Sequence, residues 1–203
     1  MKLYGTTTSP YARITRIIVF EKHLQDRVKF IWTKTRVPND PLLSVNPSGR
    51  IPFLLLEDGT GIEDTPTIVD YLDTLESPEL FDPRKDRMNW EYRRIEATAK
   101  AMLDGLAVWA REIKRPLHEQ SPEVIRHETE RASRLTAVFD KLMANPVLDK
   151  PLNMAQLYLF AALDLERRIP TFLWRVDNSS LADWMNTMND RPSVKNSCPP
   201  LSI

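Results

Sequence analysis

The stretch from Asn46 to Leu75 constrains the fold more than any other part of this chain. It begins with the turn residues Asn-Pro-Ser-Gly and continues with a short apolar run from Ile51 to Leu56. An apolar run of this length is typical of a strand, and the Asp58-Gly59 pair that follows it supplies the positive φ of a tight hairpin. A helix is predicted from Thr65 to Leu75, because Thr65 can cap it and the next residue is proline.

Pro52 is the unusual residue of this stretch, because a proline cannot donate to a strand ladder and is therefore tolerated mainly at a strand's start or edge. The Ile51–Pro52 bond is a candidate for a cis peptide. A cis bond here would turn the N–H and C=O of Ile51 out of the sheet. They could then pair with an extended peptide ligand, as an added strand would.

The residues before this stretch predict a strand, a helix and a second strand. Lys2-Leu3-Tyr4 and Val28 to Trp32 have strand character, and Ser9-Pro10 places a capping hydroxyl before a proline at the first helical position. This order implies a parallel pair of strands with a right-handed crossover. A second short helix is predicted over Asp40 to Val45.

Strand patterns stop after a proline-containing linker, and long amphipathic helical patterns follow. One later segment is apolar on nearly every side, so it should be the core helix of a second domain, and Asn153 with Gln156 has the spacing of a capping box at its start. The predicted organisation is an α/β domain over residues 1–76, a linker over 77–85 and an all-helical domain over 86–203.

Composition excludes several classes of partner. The 28 basic and 28 acidic side chains balance, so neither nucleic acid nor an anionic membrane surface is an expected partner. No apolar run is long enough to span a bilayer and no signal-peptide core begins the chain, so a cytoplasmic protein is expected. The single cysteine excludes an internal disulfide framework, and the three histidines lie far apart without ligand spacing, so no metal site is expected.

Two motifs resemble a known family. The pattern Asn-Pro-x-Gly-Arg-Ile-Pro, a hairpin, and then acid-hydroxyl-x-x-Ile-x-x-Tyr-Leu resembles the glutathione-binding half of the cytosolic glutathione S-transferases. The sequence Ser-Pro-Tyr-Ala-Arg at residues 9–13 is similar to the Ser-Pro-Phe-x-Arg motif of serine-type, theta-like bacterial members. The resemblance implies a thioredoxin-like α/β domain followed by an all-α domain, with glutathione as co-substrate and a homodimeric assembly.

The resemblance also implies residues that bind glutathione. Ile51 would pair with the cysteinyl backbone of the tripeptide next to a cis Pro52, and Asp64 and Thr65 would hold the γ-glutamyl end. Arg50 is a candidate for the glycyl carboxylate, with a solvated turn residue as an equal alternative. Lys34 and Arg36 are placed for the same contact, but for these two residues a solvent-exposed side chain without a binding role is favoured.

Ser9 is the expected catalytic residue, through stabilisation of the glutathione thiolate. A hydroxyl at a helix N-terminus, beside the positive end of the helix dipole, favours an anion. Cysteine is absent from position 9, which argues against mixed-disulfide chemistry there. Tyr4 or a backbone N–H are the alternative thiolate stabilisers. Tyr11 is expected in the second-substrate pocket or in packing, and Trp109 in that pocket or in the core.

Three functions follow from the resemblance. The first is conjugation of the glutathione thiolate to small electrophiles, with a pocket for the second substrate in the helical domain. The alternatives are glutathione-dependent reduction of peroxides or disulfides, and a non-catalytic binding role like that of the stringent starvation regulators of bacterial RNA polymerase. Phe53, Met88 and Trp90 are apolar candidates for the dimer seam or for the core.

Overall fold

The computed structural model describes residues 1–80, 89–149 and 151–198, which form two compact units. Of these residues, 1–80 and 191–198 make up the first unit, and 89–149 and 151–190 make up the second. The sequence pattern assigned everything after residue 86 to the helical domain, whereas the last described residues group with the first unit. Met88 and residues 81–85 of the predicted linker lie outside the described residues.

The first unit contains a four-stranded mixed sheet with the strand order β2-β1-β3-β4. Strands β1 and β2 are parallel, as predicted, and β3 runs antiparallel to both β1 and β4. Two helices follow strands of this sheet, and a single turn of 3-10 helix replaces the short helix predicted after Asp40. The elements are β1 (Lys2–Gly5), α1 (Pro10–Glu21), β2 (Lys29–Trp32), the 3-10 turn (Pro41–Ser44), β3 (Phe53–Leu55), β4 (Gly61–Glu63) and α2 (Thr65–Thr74).

A proline in the first turn begins both α1 and α2, and a side-chain cap precedes α1. Ser9 is the N-cap of α1, and its Oγ accepts a hydrogen bond from the Ala12 N–H at 3.2 Å. Helix α2 begins at Thr65, so the N-cap is Asp64 and not Thr65 as the sequence suggested. The two helices pack together through side chains that are fully buried, among them Ile14, Ile17, Ile18, Ile68, Val69 and Leu72.

A short C-terminal helix, α7 (Pro192–Asn196), packs on α1 and so completes the first unit. Two buried arginines of α1 hold it: Arg13 donates to the Val194 carbonyl at 3.5 Å, and Arg16 donates to the Ser197 carbonyl at 3.2 and 3.1 Å. Burial, with a smaller contribution from the charge of Arg13, lowers the pKa of Arg16 to about 10. The side chain of Arg191 forms an ion pair with Glu21 at 3.0 Å.

The second unit is built from helices in the part of the chain that the structure describes. The core element is α5, in which all ten residues are buried, as the apolar pattern predicts. Its predicted capping box is present, with reciprocal hydrogen bonds of 3.1 and 3.2 Å between Asn153 and Gln156. None of the described helices is both long and apolar enough to cross a membrane. The helices are α3 (Trp90–Glu112), α4 (Pro122–Leu142), α5 (Met154–Leu163) and α6 (Ser179–Asp190).

A buried ion pair fixes the end of α2 against the end of α1. The Lys22 ammonium lies 2.8 Å from the Asp73 carboxylate, and both side chains are only 3% exposed. Lys22 also donates to the Glu76 carbonyl and, at 2.7 Å, to the Pro78 carbonyl, while Asp73 accepts from the Leu80 N–H at 3.0 Å. These bonds anchor the segment that leaves the first unit.

We expect the substitution Lys22→Met to destabilise the protein by about 3–5 kcal/mol, because it leaves the Asp73 carboxylate buried without its cation. Chemical unfolding monitored by circular dichroism measures this change. The matched control is Arg27→Met, which breaks the exposed ion pair with Glu76 and should cost less than about 1 kcal/mol. Equal effects of the two substitutions would contradict the role given to the buried pair.

Candidate functional site

The strand register brings every predicted glutathione-binding segment to one edge of the sheet. Gly5 at the end of β1 pairs with Trp32 at the end of β2, and Tyr4 pairs with Phe53 at the start of β3. Phe53 in turn pairs with Glu63 at the end of β4. The loop to Ser9, the loop after β2, the Ile51–Pro52 bond and the start of α2 therefore leave or enter the sheet at the same edge.

Ser9 has the geometry of a hydrogen-bond donor at the positive end of a helix. Its Oγ accepts the capping bond from Ala12, and its hydroxyl proton has no acceptor among the described residues. A serine hydroxyl carries one proton and two acceptor lone pairs, so capping leaves the proton available. Ser9 is half-buried, which means that a ligand atom can reach it.

The Ile51–Pro52 peptide bond is cis, and the turn before it is held by Asn46. Asn46 is 1% exposed; its Nδ2 donates to the Arg50 carbonyl at 2.9 Å, and its Oδ1 accepts from the Ser48 N–H at 3.0 Å. Strand pairing of β3 begins only at Phe53, so Ile51 lies outside the ladder. The turn held by Asn46 therefore places the backbone of Ile51 at the edge of the sheet.

Asp64 and Thr65 occupy the junction between β4 and α2. Asp64 is exposed, makes no side-chain capping bond and has a φ of +70°, which is uncommon for a residue with a side chain. Unusual backbone conformations of this kind concentrate at ligand sites. Thr65 is 3% exposed at the first position of the helix, where the dipole favours negative charge.

The loop after β2 carries basic side chains and is organised by Asp40. The Asp40 carboxylate accepts hydrogen bonds from the Thr33 hydroxyl at 2.6 Å, the Leu42 N–H at 2.9 Å and the Lys34 N–H at 3.2 Å. The Thr33 hydroxyl, followed by the Leu42 N–H, holds the pKa of Asp40 below its usual value. The side chains of Lys34 and Arg36 are exposed on this loop, and Arg50 is exposed on the turn before Ile51.

Tyr4 and Tyr11 lie near the same edge of the sheet, whereas Trp109 lies in the second unit. Tyr4 packs its ring against Phe53, with ring centroids 5.9 Å apart, and Tyr11 is half-buried in the first turn of α1. Trp109 belongs to the second unit, where it is 2% exposed and packs against Phe172, which favours the core over the pocket assignment. Phe53 is also 2% exposed, so it is a core residue and not part of a surface seam.

Two features of the site were missed from sequence. The capping role of the Asp40 carboxylate could have been predicted, because Asp-Pro is a helix-start signal and this carboxylate caps the 3-10 turn. The hydrogen bond from Ser48 Oγ to Glu63 Oε2, 2.8 Å long, had no sequence signal, because it joins residues fifteen positions apart. Among the described residues, no group of three or more His, Cys, Asp or Glu side chains is arranged to hold a metal ion.

The chemistry of this edge suits an extended peptide with negatively charged groups. An unpaired backbone segment at Ile51 offers main-chain pairing, two helix N-termini favour anions, and exposed cations lie on two neighbouring loops.

Comparison with known proteins agrees with this geometry. Residues 8–75 match the family model of the glutathione S-transferase N-terminal domain. An uncharacterised GST-like protein of Escherichia coli, YibF, is 28% identical, with 98% of this chain and 99% of that protein covered.

Solved structures share the whole fold. A glutathione transferase family member from Pseudomonas fluorescens, crystallised with glutathione, has a TM-score of 0.87 at 27% identity and covers 98% of this chain and 99% of its own. The same protein has been crystallised with S-(propanoic acid)-glutathione. A glutathione S-transferase from Methylobacillus flagellatus, also with glutathione bound, has a TM-score of 0.85 at 28% identity. The match covers 98% of this chain and 99% of that one. Residues 8–75 form a glutathione S-transferase N-terminal domain, and with its mixed sheet and helical second unit the chain has the glutathione S-transferase fold.

Proposed function

We propose that this protein binds glutathione along the sheet edge and conjugates its thiolate to small electrophiles. The observation that carries the proposal is the register that brings Ser9, Ile51 and the Asp64-Thr65 pair to one edge. Relatives of similar length bind glutathione, and one of them binds a glutathione S-conjugate, the type of product that such a reaction forms.

The strand order suggests the direction in which the tripeptide lies. Neighbouring strands are about 4.8 Å apart, so β2 and β4 are separated by about 14 Å. An extended tripeptide spans about 10 Å. With its γ-glutamyl end at Asp64 and Thr65, its cysteine would pair with Ile51 beside β1, and its glycyl carboxylate would point toward the cations of the loop after β2.

In the proposed reaction, Ser9 donates its hydroxyl proton as a hydrogen bond to the thiolate sulfur. A free thiol has a pKa of about 8.5, and a donor together with a helix dipole can lower it by roughly one to two units. Serine is a poor nucleophile without an adjacent base, so we assign it no covalent step. In a substitution, sulfur bonds to the electrophile and the leaving group departs with its bonding electron pair. In an addition, sulfur bonds to one end of a double bond and the other end takes a proton from water.

Serine at position 9 disfavours thiol exchange through a mixed disulfide with the protein, because that chemistry requires a cysteine there. Reduction of peroxides by bound glutathione, with Ser9 as the anion stabiliser, stays the alternative. The single cysteine of the sequence, Cys198, lies after α7 and not at position 9, and Arg13 donates a hydrogen bond to its Sγ at 3.3 Å.

We propose a reducing cytoplasm as the compartment, because glutathione is kept there as the thiol. The proposed role is detoxification of electrophiles. We propose that the helical unit supplies apolar surface to the second substrate.

We expect wild-type protein to bind glutathione in calorimetry and Asp64→Asn to weaken binding at least about tenfold, because it removes the charge that faces the γ-glutamyl amine. Asparagine is the better test than alanine, since it tolerates positive φ. Asp58→Asn, on the hairpin at the opposite edge of the sheet, is the control and should bind normally. Unchanged affinity in Asp64→Asn would remove Asp64 from the site.

We expect Ser9→Ala to lower turnover by roughly ten- to a thousandfold, the range for loss of one donor to an anion. Glutathione affinity should stay within a few-fold, and the pH at which activity rises should move upward because the bound thiol ionises less readily. Thiolate absorbance of the glutathione complex, titrated against pH, measures this shift directly.

The control for this substitution is Ser121→Ala. Ser121 caps α4 through the Val124 N–H at 3.3 Å, so its loss costs a similar capping energy of about 1 kcal/mol. Turnover and titration of this variant should match wild type. Superimposable thiolate titrations of wild type and Ser9→Ala would remove Ser9 from the mechanism and leave Tyr4, a backbone N–H or another hydroxyl such as Thr8 as the group to test.

We further propose a homodimer, as implied by the resemblance to the family. Trp90, at the start of α3, is 67% exposed, which is unusual for so large an apolar side chain and makes it a candidate for the seam. Analytical ultracentrifugation at micromolar concentration should show a dimer that Trp90→Glu weakens. A monomeric wild type would contradict this assembly.

A further inference from the structure

One side-chain hydrogen bond joins the two segments that the proposed function assigns to different ends of glutathione. Ser48 lies on the turn before Ile51, and Glu63 is the last residue of β4, directly before Asp64. The Ser48 Oγ and Glu63 Oε2 are 2.8 Å apart. Among the described residues, no other side-chain hydrogen bond connects residues 46–52 with residues 63–65.

The bond is also tied to the inside of the turn. Ser48 Oγ accepts from the Arg50 N–H at 3.2 Å and lies 2.8 Å from Asn46 Oδ1. A hydroxyl has one proton to donate, and a carboxylate is the stronger acceptor. Asn46 Oδ1 already accepts from the Ser48 N–H, so the turn remains closed when the hydroxyl proton goes to Glu63.

The position of this hydrogen bond lets it affect the distance between Ile51 and Asp64. Phe53 and Glu63 are the last paired residues at this edge of the β3–β4 ladder. Beyond that pair, the turn leads one way to Ile51 and the chain leads the other way to Asp64, whose backbone has the unusual positive φ. The Ser48–Glu63 bond therefore adds a side-chain link between the two segments beyond the last backbone pair of the ladder.

We propose that the Ser48–Glu63 hydrogen bond is a specificity-determining spacer. It fixes the distance between the backbone of Ile51 and the start of α2, and so makes the site select a γ-glutamyl over a β-aspartyl peptide, which is one methylene shorter. Ser48 and Glu63 are positioning residues, since they act through Ile51, Asp64 and Thr65. The inference rests on the proposed function, because it assumes that glutathione binds at this edge.

The test compares the dissociation constants of glutathione and of β-aspartyl-cysteinyl-glycine by calorimetry. Wild type should prefer glutathione by about tenfold or more, the usual effect of one methylene in a fitted site. Glu63→Ala should reduce this ratio by roughly two- to tenfold, the effect of one hydrogen bond. Ser48→Ala should do the same, since the bond needs both partners. Glu63→Gln keeps an acceptor oxygen but one no stronger than Asn46 Oδ1, so its ratio should lie between those of wild type and Glu63→Ala.

The control is Glu57→Ala, which removes an exposed carboxylate from the β3–β4 hairpin at the opposite edge and should leave the ratio unchanged. A wild-type ratio in both Glu63→Ala and Ser48→Ala would overturn the spacer, even if both variants bind glutathione more weakly. Failure of wild type to bind glutathione would instead overturn the proposed function, and the spacer with it.

Discussion

The antiparallel pairing of β3 with β1 is the constraint on which the candidate site depends. It sets Phe53 opposite Tyr4, so that the start of β3 lies where β1 ends. Phe53 and Leu54 point to opposite faces of the sheet and are both nearly fully buried, so a shift of one residue would move each side chain to the wrong face. Core packing therefore fixes the register, and the register fixes where Ile51 meets the loop that leads to Ser9. The position of Ile51 in the candidate site thus depends on the burial of Phe53 and Leu54 in β3.

Local chemistry explains why the sequence predicted several elements of both units correctly. Ser9 with Pro10, the Asp58-Gly59 turn and the Asn153–Gln156 box each act over a few residues, and each forms the structure that its residue types favour. The cis state of Ile51–Pro52 was expected because the surrounding motif resembles a family. Spacing alone would not have indicated it, since about 5% of such bonds are cis.

The errors arose where tertiary packing decides. Thr65 has a good capping side chain, but the chain enters α2 through Asp64 at a positive φ, so the cap position moves back by one residue. Trp109 has the spacing of either a pocket or a core residue, and its contact with Phe172, far along the chain, favours the core. The assignment of the last residues to the helical domain failed for the same reason, because the arginines that hold them lie on α1. Side chains that meet across long separations leave no local signal.

The packing of α7 on α1 also has a consequence for synthesis of the chain. The first unit is discontinuous: its sheet is complete by Glu63, yet the helix that covers the buried Arg13 and Arg16 is among the last described residues. Domains generally fold as the ribosome delivers them, from the N-terminus onward. Here the N-terminal unit cannot reach its final packing until α7 (Pro192–Asn196) has emerged. The helical unit, continuous in sequence and rich in local contacts, is thus free to fold first.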